Sequence, residues 1–182
     1  MTDASVYSKT HFYGDTLISG YDCLSFTAPL KLVSGAVTGN GIGGTKEMTY
    51  KYENAKVMKR GRGMLGFTRF IKTDVSNSLQ TTVTQEFSNT YYEAAVKEIE
   101  EKKTATNRVL KKTEIINSLR FPSGTSSFQF APTSVSTKEY EPNSNIAVLA
   151  STTSYTYDSY GNVNKETVTY GNGDKTETTN TY

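Results

Sequence analysis

Gly39, Gly41 and Gly44 spell G-x-G-x-x-G, the spacing of a loop that wraps a phosphate. That chemistry needs a helix directly after the loop, so that its first N–H groups can hold the anion. Thr45 to Lys56 instead alternates in the manner of a strand, and no Gly-Lys-Ser/Thr follows. The expectation is a hairpin turn. His11 is the only histidine and Cys23 the only cysteine. A Ser-His-Asp or Cys-His arrangement would have to run through His11, which sits in a weakly patterned polar stretch. Zinc needs more His or Cys ligands than these. Asp15, Asp22, Glu98, Glu100 and Glu101 have no sequence neighbour that would make one an acid and another a base. Arg60, Arg62, Arg69 and Lys72 offer a basic patch, but alternation scatters them over both faces of a strand. Net charge is only +2 and the pI is near 8.5, short of a nucleic-acid footprint. The expectation is therefore no catalytic residue, no cofactor, no metal, no nucleic-acid partner and no enzyme.

The elements that would position these residues read as strands. Only 35% of the 182 residues are hydrophobic, yet 12% are aromatic, with 13 Tyr and no Trp. Tyr and Thr suit pleated, half-wet surfaces. Leu30 to Thr38 reads as a strand, followed by the glycine turn. Thr49 to Val57 places Tyr50 and Tyr52 on one face and Lys51 and Glu53 on the other. Met64 to Ile71 places Leu65, Phe67 and Ile71 together, and Leu79, Thr81, Val83, Gln85 and Phe87 line the next strand. Asp74 to Ser78 is the turn between them. Val109-Leu110, Ile115-Ile116, Phe128 with Phe130, and Val135 with Thr137 continue as strands, broken at Phe121–Gly124 and Glu141–Asn145. Tyr91 to Lys103 conflicts with this pattern. Its alanines, its apolar Ala95 and Ile99, and Glu98 four residues before Lys102 favour a helix.

The clearest pattern lies near the end. Thr153, Tyr155 and Tyr157 share one face, Asp158 to Asn162 turns, and Val163 to Tyr170 returns, with Val168 and Tyr170 together. Gly171-Asn172-Gly173-Asp174 turns again around Asn-Gly. In Tyr155-Thr156-Tyr157-Asp158-Ser159-Tyr160-Gly161-Asn162-Val163, Asp158 can accept backbone N–H groups and Gly161 can supply a positive φ. This stretch resembles the tyrosine–aspartate (YD) repeat of Rhs proteins. A second block adds to it. Gly41-Ile42-Gly43-Gly44-Thr45, then Tyr50-Lys51-Tyr52, then Gly61-Arg62-Gly63-Met64-Leu65-Gly66-Phe67 is similar to the junction into the repeats in toxin-complex B components.

The resemblance implies an all-β fold of mainly antiparallel hairpins with at most one short helix, a segment of a β-cage. It implies strands where Tyr91 to Lys103 falls, so a distorted hairpin is expected there. The expected organisation is an irregular lead-in over 1–28, hairpins over 29–90, variable hairpins over 91–145 and a truncated YD unit over 146–182. The residues expected to shape the fold are Gly41, Gly43, Gly44, Tyr50, Tyr52, Gly61, Arg62, Gly63, Leu65, Gly66, Phe67, Tyr155, Tyr157, Asp158, Gly161 and Asn162. The implied role is a shell that encloses a toxic C-terminal segment. Its partners would be the rest of the same polypeptide, that segment, and other toxin-complex subunits. The alternative is a cell-surface adhesion module that binds glycans or neighbouring cells. The chain reads as a slice of a longer secreted or surface protein: Met1 to Lys9 has no apolar signal core, and no run approaches the roughly 18 residues of a membrane helix.

Overall fold

The computed structural model describes residues 7–8, 23–25, 31–58, 63–88, 93–124, 128–144 and 146–182. Its elements are β1 (Tyr7–Ser8), β2 (Cys23–Ser25), β3 (Gly35–Gly39), β4 (Thr45–Met58), β5 (Gly63–Asp74) and β6 (Leu79–Phe87). They continue with β7 (Ala94–Lys103), β8 (Arg108–Arg120), β9 (Gln129–Tyr140), β10 (Ala147–Tyr157), β11 (Val163–Tyr170) and β12 (Lys175–Thr179). No helix occurs among the described residues, so the all-β expectation holds. His11, Asp15, Asp22, Arg60, Gly61, Arg62 and Tyr91 lie outside the described residues. The chain divides into two compact units, residues 1–96 with 101–107, and residues 97–100 with 108–182.

In the first unit the strand order is β1-β4-β5-β6-β7, with β2 and β3 also pairing β4. All of these β4–β6 pairings are antiparallel except β1 with β4, which is parallel. β3 begins at Gly35, later than the strand expected from Leu30, and residues 31–34 carry no strand. Tyr50 and Tyr52 do share a face. Tyr50 stacks on Phe70 with centroids 5.9 Å apart, and Tyr52 meets Phe67 at 4.9 Å and Phe70 at 5.2 Å.

That cluster corrects the expected face of β5. Strict alternation would put Phe67 with Ile71, but Phe67 joins Phe70, three residues on, over the same ring. The two strands are irregular here: Asn54 takes a positive φ of 52°, and the register shifts between Lys56 and Val57. The Thr68 hydroxyl donates to the Glu53 and Asn54 carbonyls at 3.1 and 3.3 Å. Such irregularities turn a side chain from one face to the other. In β6 the most buried side chain is Thr82, which pairs with Ile71, rather than a member of the Leu79–Phe87 row.

β7 is extended over Ala94–Lys103, where local propensity favours a helix. The charges that would bridge successive helical turns act elsewhere. Glu98 meets Lys112 of β8 at 3.1 Å, and Lys102 donates to Asn107 at 2.8 Å. Glu98 therefore has a cationic partner after all, Lys112, which it shares with Glu114 at 2.9 Å. Thr104–Asn107 makes the turn, with Asn107 at φ 54°, so the hairpin expected from the resemblance is the one present.

The second unit holds residues 97–100 of β7 and then β8-β9-β10-β11-β12 in sequence order, with each registered neighbour antiparallel. Thr153, Tyr155 and Tyr157 are half-buried, and Thr152, Ser154 and Thr156, which alternate with them, are exposed, as the sequence pattern predicts. β9 carries Pro132, which has no N–H for a ladder. A bulge accommodates it: Ile116 pairs with Ser134 and Asn117 with Pro132, leaving Thr133 out of register. Across both units the core is thin. Among the described residues only Ala55, Met58, Ile71 and Ala131 are buried apolar side chains, and no large side chain is fully buried.

Candidate functional site

Three hairpins close with one turn geometry. In Asn40–Gly44, Asp158–Asn162 and Tyr170–Asp174, the first residue's N–H donates to the fifth residue's carbonyl at 2.9 Å. The fourth residue is a glycine in each, Gly43, Gly161 and Gly173, with φ of 87°, 91° and 92°. Two of the three carry the same side-chain cap. Asn40 Oδ1 accepts from the Ile42 and Gly44 amides at 3.0 and 2.8 Å. Asp158 Oδ1 accepts from the Tyr160 and Asn162 amides at 2.8 and 2.9 Å. The G-x-G-x-x-G stretch is thus a capped hairpin turn leading into β4, with its amides engaged by Asn40.

The Asp158 turn sits against a second loop of its unit. The Ser123 amide donates to the Ser159 carbonyl at 2.6 Å. A β-carbon placed on Gly161 would lie 2.8 Å from Gln129 Oε1 and 3.2 Å from Pro122 Cγ, so glycine is required there for space as well as for φ. The Tyr157 hydroxyl donates to the Pro132 carbonyl. Its ring lies under Arg120, whose guanidinium carbon is 4.2 Å from the ring centroid. Burial, partly offset by the Arg120 charge, raises the Tyr157 phenol above its ordinary value. Between loop and turn is a cavity of about 370 Å³, lined by Arg120, Phe121, Pro122, Ser123 and Asp158 among others.

The expected residues fall into two groups. Gly41, Gly43, Gly44, Tyr50, Tyr52, Gly63, Leu65, Gly66 and Phe67 belong to the first unit, and Tyr155, Tyr157, Asp158, Gly161 and Asn162 to the second. Gly41, Gly63 and Gly66 also take positive φ, at 81°, 71° and 120°. Arg69, one of the basic-patch candidates, is paired with Glu53 at 2.7 Å. Sequence reasoning missed Arg120, Pro122, Gln129 and Pro132. They come from β8, β9 and the loop between, and only the strand order brings them to Tyr157 and Gly161. Among the described residues no three His, Cys, Asp or Glu side chains gather as metal ligands would. No helix of the described residues is long and apolar enough to cross a membrane.

Acid separates the two kinds of cap. Partial burial pushes the Asp158 carboxyl up, but donation from Asn162, Tyr160 and Gly161 outweighs it and holds the group below its ordinary 3.8. Asp74 is also held low, first by the Asn77 side chain and then by Lys46, against the effect of burial. A carboxyl with a depressed folded pKa stabilises above its unfolded value, and that contribution is lost as pH falls through the folded pKa. The Asn77, Tyr160 and Asn162 amides, which bond these carboxylates, should lose exchange protection below pH 3.8, beyond the intrinsic pH dependence. The Ile42 and Gly44 amides, bonded to an Asn, should not. Hydrogen exchange resolved by residue checks this, and equal loss at all five amides would refute it.

The fold and site define a class: an all-β protein built from antiparallel hairpins with glycine-dependent, Asn- or Asp-capped turns. No family model, curated protein or solved structure matches the chain.

Proposed function

We propose that this chain is a non-enzymatic structural segment of a Rhs/YD-repeat shell, part of a larger secreted or surface polypeptide that encloses its own C-terminal toxic segment. One observation carries the proposal. From β3 to β6 in the first unit and from β8 to β12 in the second, the strands follow one another as antiparallel hairpins, and the tyrosines of β4 and β10 are half-buried with almost no core among the described residues. A single layer of this kind suits a wall better than a catalytic domain, because a wall needs contiguous strands and repeatable turns rather than a deep cleft. The turn geometry shared by Asn40–Gly44, Asp158–Asn162 and Tyr170–Asp174 supports the reading, since a repeating wall needs a repeatable corner. The test is electron microscopy and limited proteolysis of the polypeptide that carries this sequence. The expected result is a hollow particle whose C-terminal segment resists protease until the wall is broken. A C-terminal segment cleaved as fast as a free peptide would sink the proposal.

A wall segment taken alone leaves strands unpaired. All five residues of β12 are exposed, and β12 ends the strand order of its unit. Exposed strand edges pair with other chains. The 182-residue chain alone should therefore shift to larger species as its concentration rises in sedimentation velocity. Thr176→Lys with Thr178→Lys should reduce that shift by charging the edge. A monodisperse chain that melts cooperatively at every concentration would contradict the expectation.

A further inference from the structure

Among the described residues Arg120 has no counter-ion. Lys46, Arg69, Lys111, Lys112 and Lys165 each have a carboxylate oxygen at 2.7–3.1 Å. Arg120 pairs with no carboxylate of the described residues, and its Nε is buried with no acceptor among them. One face of its guanidinium is covered by the Tyr157 ring. A cation stripped of part of its water and given no partner is poised to gain from an incoming anion. It lines the cavity of about 370 Å³.

Asp158 lines the same cavity but does not supply the missing charge. Its Oδ1 takes the Tyr160 and Asn162 amides, and its Oδ2 takes the Asn162 side chain at 3.0 Å. Its negative charge stays in the wall and disfavours a doubly charged phosphate relative to a carboxylate. The planar guanidinium matches a planar carboxylate. Leu119, Phe121 and Pro122 add apolar wall to the same space, suited to the methylene stem that carries such a group.

We propose that Arg120, held flat on Tyr157, anchors a binding site for one carboxylate, presented by a glutamate-like side chain of a peptide segment. The test titrates the isotope-labelled full chain with acetyl-Ala-Glu-Ala-amide, its Gln counterpart, acetate and phenyl phosphate, following the arginine side-chain N–H resonances. The Glu peptide should shift the Arg120 resonance saturably and bind about tenfold or more tighter than acetate, and the Gln peptide should leave it in place. Arg120→Lys should weaken the Glu peptide about tenfold, because the fork is lost while the charge remains. Arg69→Lys, in the other unit, should leave binding unchanged. An unmoved Arg120 resonance in the unmodified chain would overturn the site, as would a Gln peptide that binds like the Glu peptide. Phenyl phosphate binding more tightly than the Glu peptide would overturn the carboxylate assignment. Acetate binding as tightly as the Glu peptide would overturn the peptide as its source. The unmodified chain carries the decisive readout, so a variant that misfolds does not blunt the test.

Discussion

Replacing Tyr52 with alanine should destabilise the first unit by about 2–3 kcal/mol, while phenylalanine at the same position should change it by less than about 0.5 kcal/mol. Tyr52 is the residue on which the aromatic cluster converges, with Phe67 at 4.9 Å and Phe70 at 5.2 Å. Each aromatic pair contributes about 0.5–1.5 kcal/mol beyond burial, and the ring also removes apolar surface from water. The upper range for a large aromatic deletion, about 3–5 kcal/mol, applies to full burial. Tyr52 is half-buried, so the lower figure is appropriate. Among the described residues the phenol hydroxyl has no hydrogen-bond partner, and burial raises its pKa before the neighbouring Tyr50 adds to the effect, which is why its loss should matter little. Hydrogen exchange along the β4–β5 ladder measures the change. Amides that exchange through opening of the unit should do so about 30- to 150-fold faster in Tyr52→Ala. Unchanged exchange would remove the cluster as the source of the unit's stability. An equal effect of Tyr52→Phe would move that source from the ring to the hydroxyl.

The same cluster marks where the sequence was legible and where it was not. Alternation alone placed Tyr50 and Tyr52 together, because β4 is regular over those residues and a period of two survives. It misplaced Phe67, because the positive φ at Asn54 and the register shift after Lys56 arise in the pairing with β4, and nothing in the sequence of β5 announces them. β7 shows a different failure. Alanines and a Glu–Lys spacing favour a helix locally, but Lys112 on the next strand competes for Glu98, and pairing with neighbours decides the conformation. The turns were the most legible part, since Gly161 and Gly173 are glycines for a local reason, their positive φ. The cavity beside Gly161 was illegible. Arg120 and Tyr157 lie on β8 and β10, with β9 between them, and their contact depends on a register that only folding sets.

Gly161 and Gly173 permit a separation of backbone strain from crowding. Their φ values are 91° and 92°, and they occupy the same place in turns closed by the same hydrogen bond. Alanine at either should suffer about 1–2 kcal/mol of left-handed strain. Around Gly173 nothing lies within 4 Å of the added β-carbon, so strain is the whole expected effect of Gly173→Ala. At Gly161 the added carbon meets Gln129 Oε1 at 2.8 Å and Pro122 Cγ at 3.2 Å. The Gln129 amide is the free end of a flexible chain and can swing away. The Pro122 ring cannot do so as easily, because the next residue, Ser123, is bonded to Ser159 in the turn itself. Gly161→Ala should therefore cost about 1 kcal/mol more than Gly173→Ala, in the range of mild overpacking. It should also speed exchange of the Ser123 amide, which Gly173→Ala should leave alone. Asparagine tolerates positive φ, so Gly173→Asn should recover much of the loss, whereas Gly161→Asn should not. If both alanine variants lose the same stability and the Ser123 amide is unmoved, the loop does not lean on the turn, and the wall of the Arg120 cavity is set by something other than this contact.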